Sequence, residues 1–449
     1  MIESLNSFLF SAPEMTSAFS TRAHLRSMMR FEWALTQALQ RNGLADEGSA
    51  QIIESLLDCE FVNLEDLQRE ARNAGNVAIP FVRQLTAAVQ KRSEAAARSI
   101  HLGATSQDVL DTALVLQMRE ALRLLDRSLM RLAEALTGQV RRHAATVLSG
   151  RTWLQPGPPT TLGLKLACIV DALRRDRERI HSAAQRALVL QFGGAVGTLG
   201  SLGSAGASVT SELGRILELR TPDLPWHTQR DRFVEIVQVL AMLTGTLAKF
   251  ARDIALLMQV EVGEAAEGAS EGRGGSSTMP HKRNPVSCAA VLAVHARMPG
   301  IAATMLQSMP QEHERGLGLW QAEWETVPIA FHLTSAALAY SLEIAEGLQV
   351  NEERMKANFD KLLGTTMSEA VTAALTAKMG RAAAHSLLRV LSNRASRENR
   401  HLADLLKESP EALAFVTPED VDRLMDPREY LGSAQRFIEA VLGGADAVC

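Results

Sequence analysis

Apolar residues recur every three or four positions over long parts of the chain. The clearest run comprises Leu114, Met118, Leu122, Leu125, Leu129, Leu132, Leu136 and Val140. Residues at this spacing share one face of an α-helix. The segment from Asp231 to Val262 has a second and broader apolar face. The pattern therefore predicts long amphipathic helices, each with one face buried.

Long stretches without proline set the expected length of these helices. They cover positions 81–155, 160–221, 226–279 and 329–409. Because proline interrupts a helix interior, several helices can reach about 30 residues or more, which is roughly 45 Å. Helices of this length predict an all-α bundle. The broad apolar face of 231–262 predicts that the bundle continues across subunit boundaries.

Three segments rich in glycine, proline and serine interrupt the helical pattern. They are Gly150 to Pro159, Phe192 to Gly206, and Gly268 to Pro285. We interpret them as loops, where binding and catalytic residues tend to lie. The pattern predicts an amino-terminal helical domain at 1–109, a central long-helix bundle at 110–350 and a carboxyl-terminal helical domain at 351–449. The last boundary rests on Asn351 as a helix cap.

The composition supports the helical class, and the net charge limits the kinds of binding partner. Only 4% of the residues are aromatic, and the net charge of −4 gives no general attraction to nucleic acid or to an anionic membrane. The amino terminus lacks the basic and apolar regions of a signal peptide, so we expect a cytoplasmic protein. The cysteines form no CxxC pair and are expected to be free thiols: Cys59, Cys168, Cys288 and Cys449.

The segment from Gly274 to Pro285 reads GGSSTMPHKRNP and combines small residues with a basic cluster. Ser276 can transfer a proton only if its alkoxide is stabilised, and Lys282 with neighbouring backbone N–H groups can provide that stabilisation. The same groups can also bind a substrate carboxylate. A flexible basic surface loop explains the composition equally well, so the residues alone leave both interpretations open.

Three sequence blocks resemble the fumarase/aspartase superfamily. The run GGSSTMPHKRNP is similar to the superfamily signature, HLGATSQDVLDT (101–112) to its carboxylate-binding loop, and GRTWLQPGPPTT (150–161) to its GRTHxQ segment. The blocks occur in the family order, so the resemblance covers nearly the whole chain. It implies the L-aspartase-like all-α fold, a homotetramer with a core of about twenty helices, and active sites shared by three subunits.

The resemblance also implies roles for individual residues. Thr105 and Ser106 can open a helix whose N–H groups bind a carboxylate, although a plain capping loop explains them as well. His101 matches a catalytic histidine of the lyases, which makes it a candidate acid or carboxylate ligand; by itself it would be read as a structural histidine. Ser276 and Lys282 are the other expected catalytic residues. The signature and the GRTHxQ segment add four expected substrate-binding residues: Gln155, Ser277, Met279 and Asn284.

Two departures from the family pattern change the expected reaction. Trp153 stands where the lyases have a histidine, and Ala289 stands where they have the glutamate partner of that histidine. Neither side chain can move a proton, so the nucleophile must need no deprotonation. A carboxylate of the substrate itself meets this requirement, because it is ionised at neutral pH and tethered to its target. Trp153 is expected to shape the pocket and exclude water, although ordinary packing explains a tryptophan equally well.

The run MPQEHERGLGLWQAEWETVP at 309–328 resembles the carboxymuconate cycloisomerase branch more closely than the lyases. Arg315 is the expected ligand of a substrate carboxylate, because a guanidinium matches a carboxylate bidentately. An ion-paired helix start formed by His313, Glu314 and Arg315 is the other interpretation. Trp320 and Trp324 are four residues apart and are expected on one helix.

The resemblance as a whole implies closure of 3-carboxy-cis,cis-muconate, a small polycarboxylate, to 4-carboxymuconolactone, a step of protocatechuate degradation. Ser276 is expected to protonate the carbon and Lys282 to stabilise the enediolate charge. No cofactor is expected, and the 11 histidines show no metal-ligand pattern. The run QFGGAVGT at 191–198 is a weak nucleotide signal, and we interpret it as close helix packing.

Two other functions stay open. An adenylosuccinate-like lyase on the same fold would release fumarate, but the missing histidine and glutamate argue against it. A non-catalytic structural protein, such as the crystallins of this superfamily, would bind no substrate. The intact serine, lysine and asparagine of the signature argue against that interpretation.

Overall fold

Helices dominate the molecule in a computed structural model that describes residues 5–268, 274–275, 279 and 282–445. The helices up to residue 142 are α1 (Pro13–Ala18), α2 (Thr21–Arg41), α3 (Ser49–Glu54), α4 (Leu64–Ala74), α5 (Ala78–Gln90), α6 (Glu94–Ala97) and α7 (Ser106–Arg142). A hairpin follows, and then three helices: β1 (Val147–Thr152), β2 (Gln155–Thr161), α8 (Leu162–Ala187), α9 (Gly206–Leu217) and α10 (Asp231–Leu257). The predicted all-α class is confirmed.

The second half of the chain continues the helical pattern. Its elements up to residue 360 are β3 (Ala265–Ala266), α11 (Val286–Gln307), α12 (Leu319–Glu346), β4 (Gln349–Val350) and α13 (Glu352–Asp360). The last helices are α14 (Ser368–Met379), α15 (Arg381–Glu398), α16 (Leu402–Glu408), α17 (Pro410–Leu413), α18 (Pro418–Met425) and α19 (Ala434–Ala445). Short 3₁₀ turns lie at Ser7–Phe10, Gly200–Ala205, Thr365–Met367 and Pro427–Tyr430.

The chain folds into two compact units, each built from segments that are distant in sequence. Unit 1 comprises Met1–Ser128, Asp176–Gly245 and Ala293–Ala339. Unit 2 comprises Leu129–Arg175, Thr246–Leu292 and Tyr340–Cys449. The three domains expected from the sequence follow chain order instead, and that division remains a prediction.

The apolar spacing of the sequence corresponds to buried helix faces. The run that begins at Leu114 lies in α7, which has 37 residues, and every residue of the run is buried. In α10 the broad apolar face is buried in the same way: Val234, Val237, Leu240, Leu243, Leu247, Phe250, Ile254 and Leu257. Each such side chain stabilises the fold by roughly 2 kcal/mol relative to exposure. Both helix predictions are confirmed.

The long helices other than α7 are shorter than the proline-free stretches suggested. Helices α8, α10 and α12 have 26, 27 and 28 residues. Helix α10 ends at Leu257 because the chain reverses over Gly263, whose φ is 62°, and the N–H of Glu264 donates to the carbonyl of Leu257. Conversely, Pro299 and Pro328 lie inside α11 and α12, so proline does not end these two helices.

The segment from Gly150 to Pro159, expected to be a loop, forms most of a two-stranded hairpin. Ser149 pairs with Pro159 and Thr152 with Gln155, with a register shift between Ser149 and Arg151. Prolines in the second strand gave the sequence its loop-like character. They are tolerated because both strands of a two-stranded ribbon are edge strands, where an N–H donor is not needed on the outer side.

The predicted cap at Asn351 is present. Its side-chain oxygen accepts a hydrogen bond of 2.9 Å from the N–H of Arg354 in the first turn of α13. Beyond α13, the carboxyl-terminal helices bury a core of their own around Leu375, Leu388 and Leu405. A helix therefore begins directly after residue 351, as the sequence predicts.

Within the part of the chain that the structure describes, three helices are long and apolar enough to cross a membrane by length and composition alone: α10, α11 and α12. Within the chain, 61% and 67% of the apolar windows of α10 and α12 are buried, compared with 33% for α11. A stripe of small residues on α11 is exposed, at Ala289, Ala293, Ala296, Gly300 and Ala303. Helix α11 thus presents a face to which another helix can approach closely.

Candidate functional site

The first turn of α7 carries the predicted carboxylate-binding residues. Helix α7 begins at Ser106, directly after Thr105. The N–H of Thr105 donates to the Asp108 carboxylate at 3.0 Å, and the N–H of Asp108 donates back to the Thr105 carbonyl at 3.0 Å. A carboxylate at the third position of a helix stabilises its start in this way. The prediction that Thr105 and Ser106 open a helix is confirmed, and their binding of a substrate remains a prediction.

Asp108 also fixes the glycine-rich run against α7. Its buried carboxylate accepts hydrogen bonds from the N–H groups of Gly193 and Gly194, at 3.1 and 2.9 Å, and contacts His227 Nε2 at 2.7 Å. A Cβ on Gly194, whose φ is 70°, would lie 2.9 Å from the carbonyl oxygen of Gly103. The glycines are therefore needed for close packing, as the sequence predicted.

Arg315 binds to the first turn of α7 and to the glycine-rich run through neutral hydrogen-bond acceptors. Its guanidinium donates to Gln107 Oε1 at 3.1 Å and to the carbonyl of Ala195 at 2.6 Å. Among the described residues it forms no ion pair, with Glu314 or with any other carboxylate. The charge of Arg315 is therefore positioned but not neutralised, which is the state that an anionic ligand requires.

Gln107 connects Arg315 to a buried ionic network. Its side-chain N–H donates to Asp111 at 3.0 Å, and Asp111 accepts at 2.7 Å from Arg230. Arg230 is fully buried and also binds Glu323 at 2.6 Å. Two carboxylates thus share one guanidinium. Burial raises the pKa of Glu323 to about 7 despite the nearby Arg230, because one cation cannot fully offset two buried carboxylates.

His101 is held by a carboxylate from α2. Glu32, which is fully buried, accepts a hydrogen bond from the backbone N–H of His101 at 2.9 Å and contacts its Nδ1 at 2.7 Å. Burial opposes the charged imidazolium, but Glu32 outweighs that effect and, together with Asp108, raises the pKa of His101. With Nδ1 engaged, Nε2 is the ring nitrogen left to face a ligand.

In unit 2, the hairpin places Trp153 at its tip. Trp153 and Leu154 form a two-residue turn with φ values of 54° and 63°, and the Trp153 side chain is 97% exposed. Arg151 anchors the hairpin through a bidentate pair with the buried Glu264, at 2.6 and 2.9 Å. Gln155, just after the turn, is also exposed. These two predicted pocket residues therefore project outward from their own chain.

The signature segment is described only at Gly274, Gly275, Met279 and from Lys282 onward. Ser276 and Ser277 lie outside the described residues. The N–H of Asn284 donates to the carbonyl of Gly274 at 2.8 Å, which closes the base of the segment. A Cβ at Gly274 would lie 2.6 Å from the backbone carbonyl oxygen of Asn284, so glycine is required there.

Met279 and Lys282 line a large cavity in unit 2, with a volume of about 1050 Å³. Helix α11 begins beside it, and Glu267 binds the first N–H groups of that helix, those of Ser287 and Cys288, at 3.1 and 2.7 Å. Glu267 is buried, and its carboxylate stabilises this helix start.

Family comparisons agree with this architecture. A lyase family model matches residues 7–300, and a model of the adenylosuccinate lyase carboxyl terminus matches residues 364–441. The chain belongs to the fumarase/aspartase superfamily of lyases. The resemblance identified from the three sequence blocks is thereby confirmed.

Relatives of this superfamily member share most of its length. A protein from Pseudomonas aeruginosa named 3-carboxy-cis,cis-muconate cycloisomerase is 47% identical, over 96% of this chain and 94% of the relative. A protein of the same name from Acinetobacter baylyi is 42% identical, over 97% of each chain. The crystal structure of 3-carboxy-cis,cis-muconate lactonizing enzyme from Pseudomonas putida is 44% identical and covers 99% of each chain, with a TM-score of 0.94.

The site residues of this superfamily member fall into two groups. Unit 1 holds His101, Thr105, Ser106 and Arg315, whereas unit 2 holds Trp153, Gln155, Met279, Lys282 and Asn284. The contacts of Glu32 and Gln107 and the ion pairs of Arg230 were not predicted from the sequence. The run PWHTQRDR at 225–232 contained a signal for Arg230, because an arginine three or four positions from Trp226, Phe233 and Val234 shares their apolar side and needs a buried partner.

Proposed function

We propose that the chain catalyses the closure of 3-carboxy-cis,cis-muconate to 4-carboxymuconolactone, a step of protocatechuate degradation. The observation that carries the proposal is 47% identity, over nearly the full length, with a relative that is named 3-carboxy-cis,cis-muconate cycloisomerase. The chain is thus an enzyme of the isomerase class that acts on a small carboxylate. The proposed site contains cationic side chains, which match the negative charge of such a substrate.

The proposed reaction needs no general base. One substrate carboxylate oxygen forms a C–O bond across a conjugated double bond, and the π electrons move into a second carboxylate as an enediolate. A proton then adds to the carbon beside that carboxylate, which completes the lactone. The attacking oxygen is already ionised and tethered, so Trp153 and Ala289 can occupy positions where a lyase needs proton transfer.

Arg315 is the proposed ligand of one substrate carboxylate. It is surrounded by carbonyl and amide oxygens, which orient the guanidinium without neutralising its charge. The start of α7 supplies the N–H of Ser106 and the hydroxyls of Thr105 and Ser106 for a second carboxylate, while the N–H of Thr105 donates to Asp108. These contacts come from unit 1 alone, and they select for a polyanionic ligand.

His101 acts in this proposal as a cation. Burial opposes the charged ring, but Glu32 stabilises the imidazolium from the Nδ1 side and raises the pKa of His101, which favours the protonated form. Its Nε2–H can then donate to a substrate carboxylate or deliver a proton. Glu32 positions the ring and sets its charge without touching the substrate itself.

Ser276 is the proposed donor of the proton to carbon, and Lys282 stabilises the enediolate charge. Such stabilisation is worth several kcal/mol in a site from which water is excluded. Ser277, Met279, Asn284, Gln155 and Trp153 complete the proposed substrate pocket. Acid and cation are both side chains in this scheme, so the proposed reaction uses no cofactor.

The proposed assembly is a cytoplasmic homotetramer whose active sites combine residues from three subunits. Two features of the single chain support it. Trp153 is almost fully exposed at a hairpin tip, which is a position that a neighbouring chain can cover. Ala289 lies on the exposed stripe of small residues along α11, which suits close contact with a helix of another chain.

An ultraviolet assay tests the proposed function. The native chain is expected to remove the absorbance of 3-carboxy-cis,cis-muconate, whereas Ser276→Ala is expected to lose at least about 100-fold in kcat. Ser396→Ala, at an exposed position on α15, is the matched control and should retain native turnover. Near-native turnover of the first variant would remove Ser276 from the proton-donor role.

The same assay separates the other two functions. Release of fumarate from adenylosuccinate, without loss of muconate absorbance, would establish a lyase on this fold. Inactivity of the folded tetramer on both substrates would favour a structural protein.

A further inference from the structure

Within the described chain, the guanidinium of Arg315 is bound by a single side chain, that of Gln107. Arg315 donates to Gln107 Oε1 at 3.1 Å, and its other acceptors are the backbone carbonyls of Gly194 and Ala195, at 3.4 and 2.6 Å. Carbonyl oxygens are present whatever side chains stand at those positions. Gln107 is therefore the contact through which the sequence itself determines the direction and the effective charge of the guanidinium.

The hydrogen bonds of the Gln107 amide fix its orientation. Both of its N–H protons are used, by the carbonyl of His227 at 2.7 Å and by the Asp111 carboxylate at 3.0 Å. Rotation of the amide by 180° would turn its oxygen towards these two acceptors and its N–H groups towards the guanidinium. All three hydrogen bonds would then be lost. The amide oxygen of Gln107 must therefore face Arg315.

Asp111 maintains this orientation because donors surround it. Its carboxylate accepts from the guanidinium of Arg230 at 2.7 Å and from the indole N–H of Trp320 at 3.0 Å. These contacts hold the carboxylate in place as an acceptor for the Gln107 amide. A buried series of contacts thus runs from Arg230 through Asp111 and Gln107 to Arg315.

The neutrality of Gln107 matters as much as its direction. A glutamate of the same length would form an ion pair with Arg315, and a substrate carboxylate would then have to displace that partner. The neutral amide directs the guanidinium and leaves its charge for a ligand. Gln107 is fully buried, with 0% of its surface exposed. It therefore acts on a ligand through Arg315 and does not touch the ligand itself.

We propose that Gln107 is a positioning residue, which directs Arg315 towards a substrate carboxylate and, because it is neutral, leaves the guanidinium charge available to that carboxylate. This inference rests on the proposed function of Arg315. It requires an uncharged hydrogen-bond acceptor at position 107. Methionine would lack a suitable acceptor there, and glutamate would have the wrong charge.

Two substitutions separate direction from charge. Gln107→Met removes the acceptor at a similar volume, and we expect KM for 3-carboxy-cis,cis-muconate to rise at least about 5-fold while kcat changes by less than about 2-fold. Gln107→Glu keeps an acceptor but neutralises Arg315, so KM should rise at least about 10-fold. Gln139→Met is the matched control and should retain the native KM. Gln139 is also buried on α7, and its amide donates to the carbonyl of Ala345 at 2.9 Å.

A double-mutant cycle tests whether Gln107 acts through Arg315. Arg315→Met alone should raise KM at least about 10-fold. Adding Gln107→Met should leave KM within about 2-fold of that single variant, because the group to be positioned is gone. Multiplication of the two effects would mean that Gln107 acts independently of Arg315, and would overturn the proposal. Circular dichroism verifies that each variant keeps its helices, and the cycle decides even if Gln107→Glu does not fold.

Failure of the proposed function gives a different pattern of results. If the native protein did not turn over the muconate, the function and the positioning role would both be overturned. If it did, but Arg315→Met had the native KM, carboxylate binding by Arg315 and the role of Gln107 would be overturned while the reaction stood. If Arg315→Met raised KM but both Gln107 variants kept the native value, only the positioning role would be overturned.

Discussion

Glu32 binds His101 at two points, through the backbone N–H at 2.9 Å and through ring Nδ1 at 2.7 Å. The two residues are 69 positions apart in sequence. His101 has a φ of 59°, a conformation that a residue with a Cβ rarely adopts, and the backbone hydrogen bond to Glu32 stabilises it. One buried carboxylate therefore determines both the orientation and the charge of the histidine.

Replacement of Glu32 by glutamine should lower the pKa of His101, because the remaining amide cannot stabilise the imidazolium against burial. If catalysis needs the protonated ring, the alkaline limb of kcat/KM should move to lower pH. A pH–rate profile measures this shift. Glu235→Gln, which breaks a surface pair with Arg186, is the control and should leave the profile unchanged. An unmoved alkaline limb in Glu32→Gln would mean that the charge of His101 is not used.

Arg315→Lys keeps a positive charge but loses the planar fork that binds a carboxylate bidentately. We expect kcat/KM to fall by about 10- to 100-fold, mainly through a higher KM, because a ground-state contact is removed. Arg119→Lys is the matched control, since among the described residues Arg119 also donates to neutral oxygens, the backbone carbonyls of Leu217 and Glu218, but lies farther along α7. Equal kinetics of the two variants would exclude Arg315 as the carboxylate ligand.

Glu323 should make the stability of the fold depend on pH. Its pKa is raised to about 7 in the folded chain, compared with 4.5 for an unperturbed glutamate. Between these values the unfolded state releases the proton first, so the free energy of unfolding should decrease as pH rises from 4.5 to 7, by up to about 3 kcal/mol. Urea denaturation across this range measures the decrease. Glu323→Gln cannot ionise and should flatten this part of the curve, and an unchanged slope would show that the carboxyl titrates normally.

Gly194 and Gly197 both have positive φ, at 70° and 84°, but only Gly194 is crowded. A Cβ at Gly194 would lie 2.9 Å from the Gly103 carbonyl oxygen, whereas no atom lies within 4 Å of a Cβ at Gly197. Gly197→Ala should therefore cost about 1 kcal/mol from backbone strain alone. Gly194→Ala should cost at least about 2 kcal/mol more, because the contact with Asp108 must also shift. Equal denaturation midpoints would contradict the close packing of this run.

The sequence predicted those features of the fold that depend on local spacing. The buried face of α7, the face of α10 and the cap at Asn351 follow from residues within a few turns of each other. The hairpin at Trp153 was missed because prolines and glycines resemble a loop when strand pairing cannot be seen. Local patterns therefore predict single helices or strands and the residues where they end, but not how strands pair.

Partners that are distant in sequence could not be predicted. Nothing near His101 indicates that Glu32 will bind it, and nothing near Arg230 indicates that Asp111 and Glu323 will share it. Arg315 was singled out by its segment, but only the structure places neutral oxygens around it. The roles of these residues depend on tertiary packing, which brings together groups separated by 69 to 208 positions.

The most direct measurement of the proposed chemistry is the product formed from 3-carboxy-cis,cis-muconate by the purified enzyme in D₂O, identified by nuclear magnetic resonance. Attack by an internal, already ionised carboxylate predicts a lactone with one deuterium on the newly protonated carbon. An open-chain hydroxy acid would show that water had added instead. Water must lose a proton to act as a nucleophile, so that product would require the general base that Trp153 and Ala289 cannot supply.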